Sequence, residues 1–411
     1  MDYGSSRMFS NRVPGLRLLS NRSADRLWEL TAGYLTSYMD EAPRKDFKDR
    51  LLNTNSKNFL SGEVYVQLPV NAREKNVHII GSFHRPDLYH LKREVVNRNM
   101  DMETKGKLIS DYIHSSETDF RECEKICDAA RRSGANSVAF YFAQFPDARQ
   151  DKKDESRVPI SAKLTLDNII SSTEPKLNRI GITDIHAEQI QGMTNYPVDQ
   201  IQCEYLFLMH WKHELGDLDN GVLLLPDAGS FKRYGKTIDE FGLNHAVISK
   251  MRKGHNESDA MHFSGISPEG KYAIIFDDMI DTGGTAIDAG KAALEKGAKG
   301  VIIYTTHGLF STKINKEEDG SVSGFSFAED KFKDSGIRVI CSDTVPRTDE
   351  YRKEQSDWLQ QFTIAPYLAE LIYCNECGTS HGKQIKRAEQ LAKNGTKDEL
   401  SKELNKFFIY D

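Results

Sequence analysis

Phe276-Asp277-Asp278-Met279-Ile280-Asp281-Thr282-Gly283-Gly284-Thr285 is the stretch on which the reading of this chain turns. Before it, Tyr272 to Phe276 is an apolar run with strand character. After it, Thr285 to Lys296 repeats apolar residues at helical spacing and stops at Gly297. A strand therefore runs into two acids, and a Thr-Gly-Gly-Thr turn opens a helix. Glycines let backbone N–H groups approach an anion, and the helix N-terminus adds a positive dipole. The hydroxyls of Thr282 and Thr285 add donors, while Asp277 and Asp278 are placed to accept from vicinal sugar hydroxyls. Phosphate at the turn and hydroxyls at the acids outline a ribose 5-phosphate. A capped helix after a strand would explain one Asp and one Gly but not the whole string.

The same alternation extends in both directions. Strands are predicted at Glu63–Leu68, Val77–Ile80, Ser137–Phe142, Arg179–Thr183, Val222–Leu225, Ala246–Ser249, Val301–Tyr304 and Arg338–Cys341. Helices are predicted at Ser23–Met39, Asp119–Ser133, Ala162–Ser171 and Phe231–Phe241, and Leu88–Ser116 is highly charged with helical stretches. Alternating strands and helices imply an α/β protein with parallel sheets, whose ligands sit beyond the carboxyl ends of the strands. Glu317–Ser323 reads as a surface loop and the tail from Lys383 as a solvated helix.

A length of 411 residues suits two domains plus appendages. The expected division is an extension over residues 1–44, a first domain over 45–203 and a second over 204–354. The segment 355–411 is expected to pack back on the first domain. A net charge of −6 argues against a general nucleic-acid or membrane-surface binder. There is no apolar run of membrane-spanning length and no secretory h-region, so a cytoplasmic protein is expected. The six cysteines are dispersed. Cys374 and Cys377 form a lone CxxC near His381, too partial for zinc, and all six are read as ordinary reduced thiols.

The ten-residue string resembles the phosphoribosyl-pyrophosphate motif of phosphoribosyltransferases and of ribose-phosphate pyrophosphokinases. Two further runs separate these families. One is Ala148-Arg149-Gln150-Asp151-Lys152-Lys153 with Arg157-Val158-Pro159-Ile160-Ser161-Ala162-Lys163; the other is Asp184-Ile185-His186-Ala187-Glu188-Gln189-Ile190-Gln191-Gly192. Both resemble the pyrophosphokinases, and phosphoribosyltransferases lack them. The resemblance covers roughly residues 55–375 in the right order. It implies two similar doubly wound, phosphoribosyltransferase-like domains, and ATP-dependent transfer of pyrophosphate to the C1 hydroxyl of ribose 5-phosphate with magnesium.

Residue roles follow from the resemblance. Phe59 and Glu63 match the adenine contacts, and Arg149, Gln150 and Asp151 the ATP-phosphate side. His186 and Asp227 match the magnesium site, with Asp184 read as the acceptor that orients His186. Asp227 and Gly229, in Pro226-Asp227-Ala228-Gly229-Ser230, match the loop near the pyrophosphate and C1. Asp277, Asp278, Asp281, Thr282, Gly283, Gly284 and Thr285 match the sugar-phosphate site. Lys250 and Arg252 match the basic pair of a mobile catalytic loop, which with His186 forms the catalytic set. Such cations stabilise charge that develops on transferring phosphoryl oxygens. The family also implies a homo-oligomer built from dimers, up to hexameric rings.

The chain departs from the family pattern at Ser61, Ser230, Ser249 and Ser82-Phe83-His84-Arg85-Pro86, and about 20 extra residues follow around 92–116. Two other readings remain open at this level. One keeps the chemistry on a larger acceptor such as ADP-ribose. The other is a non-catalytic regulatory homologue.

Overall fold

The computed structural model describes residues 15–38, 53–113, 115–226, 228–251 and 260–410. The chain opens with β1 (Leu16–Ser20) and α1 (Asp25–Ser37), then the hairpin β2 (Asn55–Asn58) and β3 (Val64–Gln67). β4 (Asn76–Gly81) leads into three helices, α2 (Leu88–Asn97), α3 (Met102–Ile113) and α4 (Ser115–Arg132). β5 (Ser137–Phe142), α5 (Ser161–Thr173), β6 (Leu177–Thr183) and β7 (Val198–Ile201) complete a five-stranded sheet of order β1-β4-β5-β6-β7. All its pairings are parallel. The strands carry β-branched and aromatic residues almost without polar alternation, as expected where helices cover both faces. Phe140 and Phe142 are buried on one side with Cys123 and Ile126 of α4. Tyr141 is buried on the other.

After α6 (Glu204–Leu215) the second half repeats the plan: β8 (Gly221–Leu225), α7 (Ala228–Phe241), β9 (His245–Met251) and β10 (Ala260–Gly265). β11 (Tyr272–Ile280), α8 (Gly284–Glu295) and β12 (Gly300–Gly308) follow, then the hairpin β13 (Lys313–Lys316) and β14 (Val322–Ser326). α9 (Ala328–Lys333), β15 (Ile337–Ser342), α10 (Asp349–Glu354) and β16 (Leu359–Phe362) end this half. The seven-stranded sheet has the order β10-β9-β8-β11-β12-β15-β16, parallel except for the edge strand β10. The fold is α/β with two doubly wound sheets. No helix among the described residues is long and apolar enough to cross a membrane.

Two expectations are corrected here. Residues 16–37, assigned to an extension, supply the edge strand β1, paired in parallel with β4, and the helix α1. The Glu317–Ser323 stretch is the exposed surface loop expected, and it links β13 to β14 in a hairpin. The final segment serves both halves instead of the first alone. β16 joins the second sheet beside β15, whereas α11 (Ala365–Cys377) covers the first. There His78 Nε2 meets Glu376 Oε1 at 2.8 Å, and Asn375 Nδ2 donates to Tyr141 Oη at 3.0 Å. α12 (Lys383–Asn394) and α13 (Lys397–Leu404) pack on α6. One continuous core therefore runs from Ile80 and Tyr141 of the first sheet through Leu368 and Phe207 to Phe276 and Tyr304 of the second.

Candidate active site

The carboxyl ends of β6 and β11 face each other across the junction of the two halves, and their acids meet there. His186 lies three residues beyond β6, and its Nδ1 bonds Asp278 Oδ2 at 2.6 Å. Asp278 is 7% exposed. Arg233, from the second turn of α7, reaches Asp278 Oδ1 at 3.5 Å through Nη1 and donates from Nη2 to Asp184 Oδ1 at 3.3 Å. Thr306 Oγ1 at the end of β12 donates to the other oxygen of Asp184. His307 Nε2 lies 3.3 Å from the Asp184 carbonyl oxygen, and its Nδ1 lies 2.9 Å from Thr344 Oγ1.

Charge within this network is set by its members. The bond to Asp278 holds His186 above the ordinary imidazole range, against the effect of burial. Burial works to raise Asp278, but His186 and Arg233 outweigh it and keep this carboxylate ionised. Its neighbour Asp277 is pushed up to about 7, first by burial and then by the charge of Asp278. The two adjacent acids are thus pushed in opposite directions. For Arg233 burial is also opposed, here by Tyr234, Asp184 and Asp278, and its cationic form is favoured.

The expected pairing of Asp184 with His186 is not formed. Asp184 takes φ 42°, in the left-handed region, and its carboxylate is spent on Thr306 and Arg233. Asp278 is the partner of His186 instead. Asp278, expected to accept from a sugar hydroxyl, thus has one protein partner on each oxygen and still has lone pairs to offer. Arg233 was missed altogether. Its signal lay in Phe231-Lys232-Arg233-Tyr234, a cation in the second turn of a helix that starts at the carboxyl end of an apolar strand.

The Thr-Gly-Gly-Thr turn forms as expected. Gly283 adopts φ 74°, and a Cβ there would stand 2.7 Å from Phe332 Cε2, so the position requires glycine. Gly284 begins α8, and Asp281, Thr282 and Thr285 lie beside it at the helix start. Arg149 Nη2 crosses from the first half to Asp281 Oδ2 at 2.9 Å. Gln150 is tethered to the start of α5, where Ser161 Oγ donates to its Oε1 at 2.7 Å. Asp151 accepts from Gln189. Arg149 and Gln150 border a cavity of about 450 Å³ that also meets His84, Arg121, Met279 and Leu309, and so lies between the halves.

Not every expected residue joins this cluster. Phe59 and Glu63 sit at the tip of the β2–β3 hairpin and do not line the cavity; Phe59 is 50% exposed. Ser61 Oγ donates to Glu63 Oε2 at 2.9 Å. Gly229 is exposed in the first turn of α7. Lys250 falls in β9, where its backbone pairs with Met261. Asp227 and Arg252 lie outside the described residues.

Comparison with known proteins fits this geometry. Residues 16–172 match the N-terminal domain of ribose phosphate pyrophosphokinase, and residues 198–330 match the phosphoribosyl transferase domain. A ribose-phosphate pyrophosphokinase of Campylobacter jejuni is 31% identical over 329 residues, which span 79% of this chain and 89% of the relative. The chain belongs to the ribose-phosphate pyrophosphokinase family. A pyrophosphokinase of Aquifex aeolicus is 30% identical over 367 residues, spanning 89% of this chain and 97% of that one. The crystal structure of phosphoribosylpyrophosphate synthetase from Mycobacterium smegmatis superposes with a TM-score of 0.65 at 26% identity, covering 89% of this chain and 99% of that structure. The pyrophosphokinase match begins at Leu16, the first residue of β1, and so includes the edge strand that the sequence reading had set apart.

The donor set suits a magnesium ion shared with phosphates. Asp278 accepts from His186 Nδ1 when that nitrogen carries the proton, which leaves the Nε2 lone pair for a cation. A single imidazole among substrate oxygens fits a metal that keeps most of its ligands as oxygen.

Proposed function

We propose that this pyrophosphokinase transfers the β,γ-pyrophosphoryl group of ATP to the C1 oxygen of ribose 5-phosphate, giving 5-phosphoribosyl 1-pyrophosphate and AMP. The new bond joins the C1 oxygen to Pβ, the bridging bond from Pβ to the AMP phosphate breaks, and the hydroxyl proton is released. The observation that carries the reading is the meeting of His186 and Asp278 beside the glycine turn, with Arg149 reaching Asp281. An ATP-side imidazole and guanidinium thereby meet the sugar-phosphate loop within one junction.

In this reading Thr282, Gly283, Gly284 and Thr285 hold the 5-phosphate at the start of α8, and Asp277 and Asp281 face the sugar. Arg149 and Gln150 take the ATP phosphates, Asp151 fixes their loop through Gln189, and Phe59 and Glu63 meet adenine. Lys250 and Arg252 stabilise charge on the transferring oxygens. His186 and Asp227 would hold magnesium, which neutralises phosphate charge when bound. Arg233 keeps the two buried carboxylates beneath His186 compensated. The family resemblance supports a homo-oligomer, and the exposed Leu60 beside Phe59 suits a surface that another molecule covers.

The test is a mass-resolved assay with ATP and magnesium, offering ribose 5-phosphate or ADP-ribose in separate reactions. AMP together with the pyrophosphorylated ribose 5-phosphate is expected. Product from ADP-ribose alone would move the assignment to the larger acceptor, and no AMP from either would end the catalytic reading.

A further inference from the structure

The extra residues that follow β4 do not form a free appendage. α2 and α3 precede the helix that covers the first sheet, yet they lie against the second half of the chain. Tyr89 of α2 packs at the edge of the second-domain core, its ring 6.0 Å from Phe327 and 5.0 Å from Tyr351. The Arg93 guanidinium stacks over Phe327 at 3.8 Å and forms an ion pair with Asp330. Gly106 of α3 lies against Val322 of β14, where an added Cβ would come within 3.0 Å of Cγ2.

The element gripped in this way, α9, is also the wall of the phosphate turn. Phe332 is buried against Gly283, and Lys331 Nζ reaches the Thr282 carbonyl oxygen at 3.5 Å. One short helix therefore has α2 on one side and the glycine turn on the other. A shift of α9 would move Phe332 against a glycine that has no room for it.

We propose that α2 and α3 form a strap that fixes the phosphate turn through α9, with Arg93 as the positioning residue for the sugar-phosphate substrate. Arg93 touches no substrate. It sets where Phe332 and Lys331 stand, and hence the depth and aim of the Thr282–Thr285 amides. The proposal rests on the reading of that turn as the 5-phosphate site.

The experiment measures kcat and both KM values for Arg93→Ala, Arg93→Lys and Asp330→Asn in the full-length protein, with Thr285→Val as a control on the turn itself. Arg93→Ala is expected to raise KM for ribose 5-phosphate about fivefold, with kcat and the ATP KM within twofold. Arg93→Lys should recover part of the loss, because it keeps the charge for Asp330 but not the flat stack on Phe327. Asp330→Asn should raise the same KM from the other side of the pair, and serves if Arg93→Ala fails to fold. An unchanged sugar KM in the Arg93 and Asp330 variants beside a raised one in Thr285→Val would overturn the strap and spare the turn. No rise in any of them would overturn both. A uniform loss in all constants that tracks lowered thermal stability would reduce Arg93 to ordinary packing.

Discussion

The two ends of the proposed transfer path are built differently. On the sugar side, Asp278 is buried and tied to His186 and Arg233, Gly283 is walled by Phe332, and Asp281 is met by Arg149. On the adenine side, Phe59 and Leu60 cap a two-stranded hairpin at 50% and 110% exposure, and Glu63 has Ser61 as its side-chain partner. The difference is one of preorganisation. Groups that must hold the sugar phosphate and orient His186 are fixed by second partners before any substrate arrives, since realignment during the reaction would forfeit their value. A group that stacks on a base can wait in solvent and lose little, because its contact is broad and tolerant of geometry.

Substitutions at the two ends should separate these behaviours. The largest effect is expected from Asp278→Asn, which removes the charge that aligns His186 and balances Arg233. Activity should fall about 10–100-fold and half-maximal activity should need more magnesium, as a magnesium titration of the variant would read. An unchanged magnesium requirement would detach Asp278 from the metal site. Gly283→Ala comes next. Its φ of 74° and the 2.7 Å approach to Phe332 should lower unfolding stability by about 1–3 kcal/mol in a denaturant titration, and raise the sugar KM as well. A stability equal to the parent would show that the wall is softer than its packing indicates. The smallest structural effect is expected at the other end. Phe59→Ala should leave stability within about 0.5 kcal/mol while raising the ATP KM, and a large loss of stability would mean that the hairpin tip is buried in the working assembly.

The sequence made the second half the easier one to read. Asp277 to Thr285 form a local device whose strand, acids, glycines and helix are contiguous, so spacing alone conveys the geometry. What it hid depends on contacts distant along the chain. Helices α6 and α11 were overlooked because they are buried nearly all round: Leu206 to Trp211 and Ala365 to Ile372 are continuous buried runs, with no polar face to mark a helical period. β1, β7 and β16 are short, and they are completed by pairing with a strand whose position no local pattern gives. The Asp184 error has a backbone cause. Two residues apart near a strand end suggests neighbouring side chains, but the left-handed turn at Asp184 sends its carboxylate toward Thr306 and Arg233. Arg233 looked like one more charge on an amphipathic helix. Only the fold sets it between two acids that are 49 and 45 residues away in sequence on opposite sides.

The helix that closes the first sheet has a consequence for how the chain is made. β7 ends at Ile201, but α11 begins at Ala365, and until it is present His78 and Tyr141 lack Glu376 and Asn375. A ribosome therefore releases the first sheet with α1 on one face but the ground over His78 and Tyr141 still open, and must finish the second domain before that part is covered. Vectorial synthesis cannot complete the halves in turn; the last-made residues finish the first-made sheet.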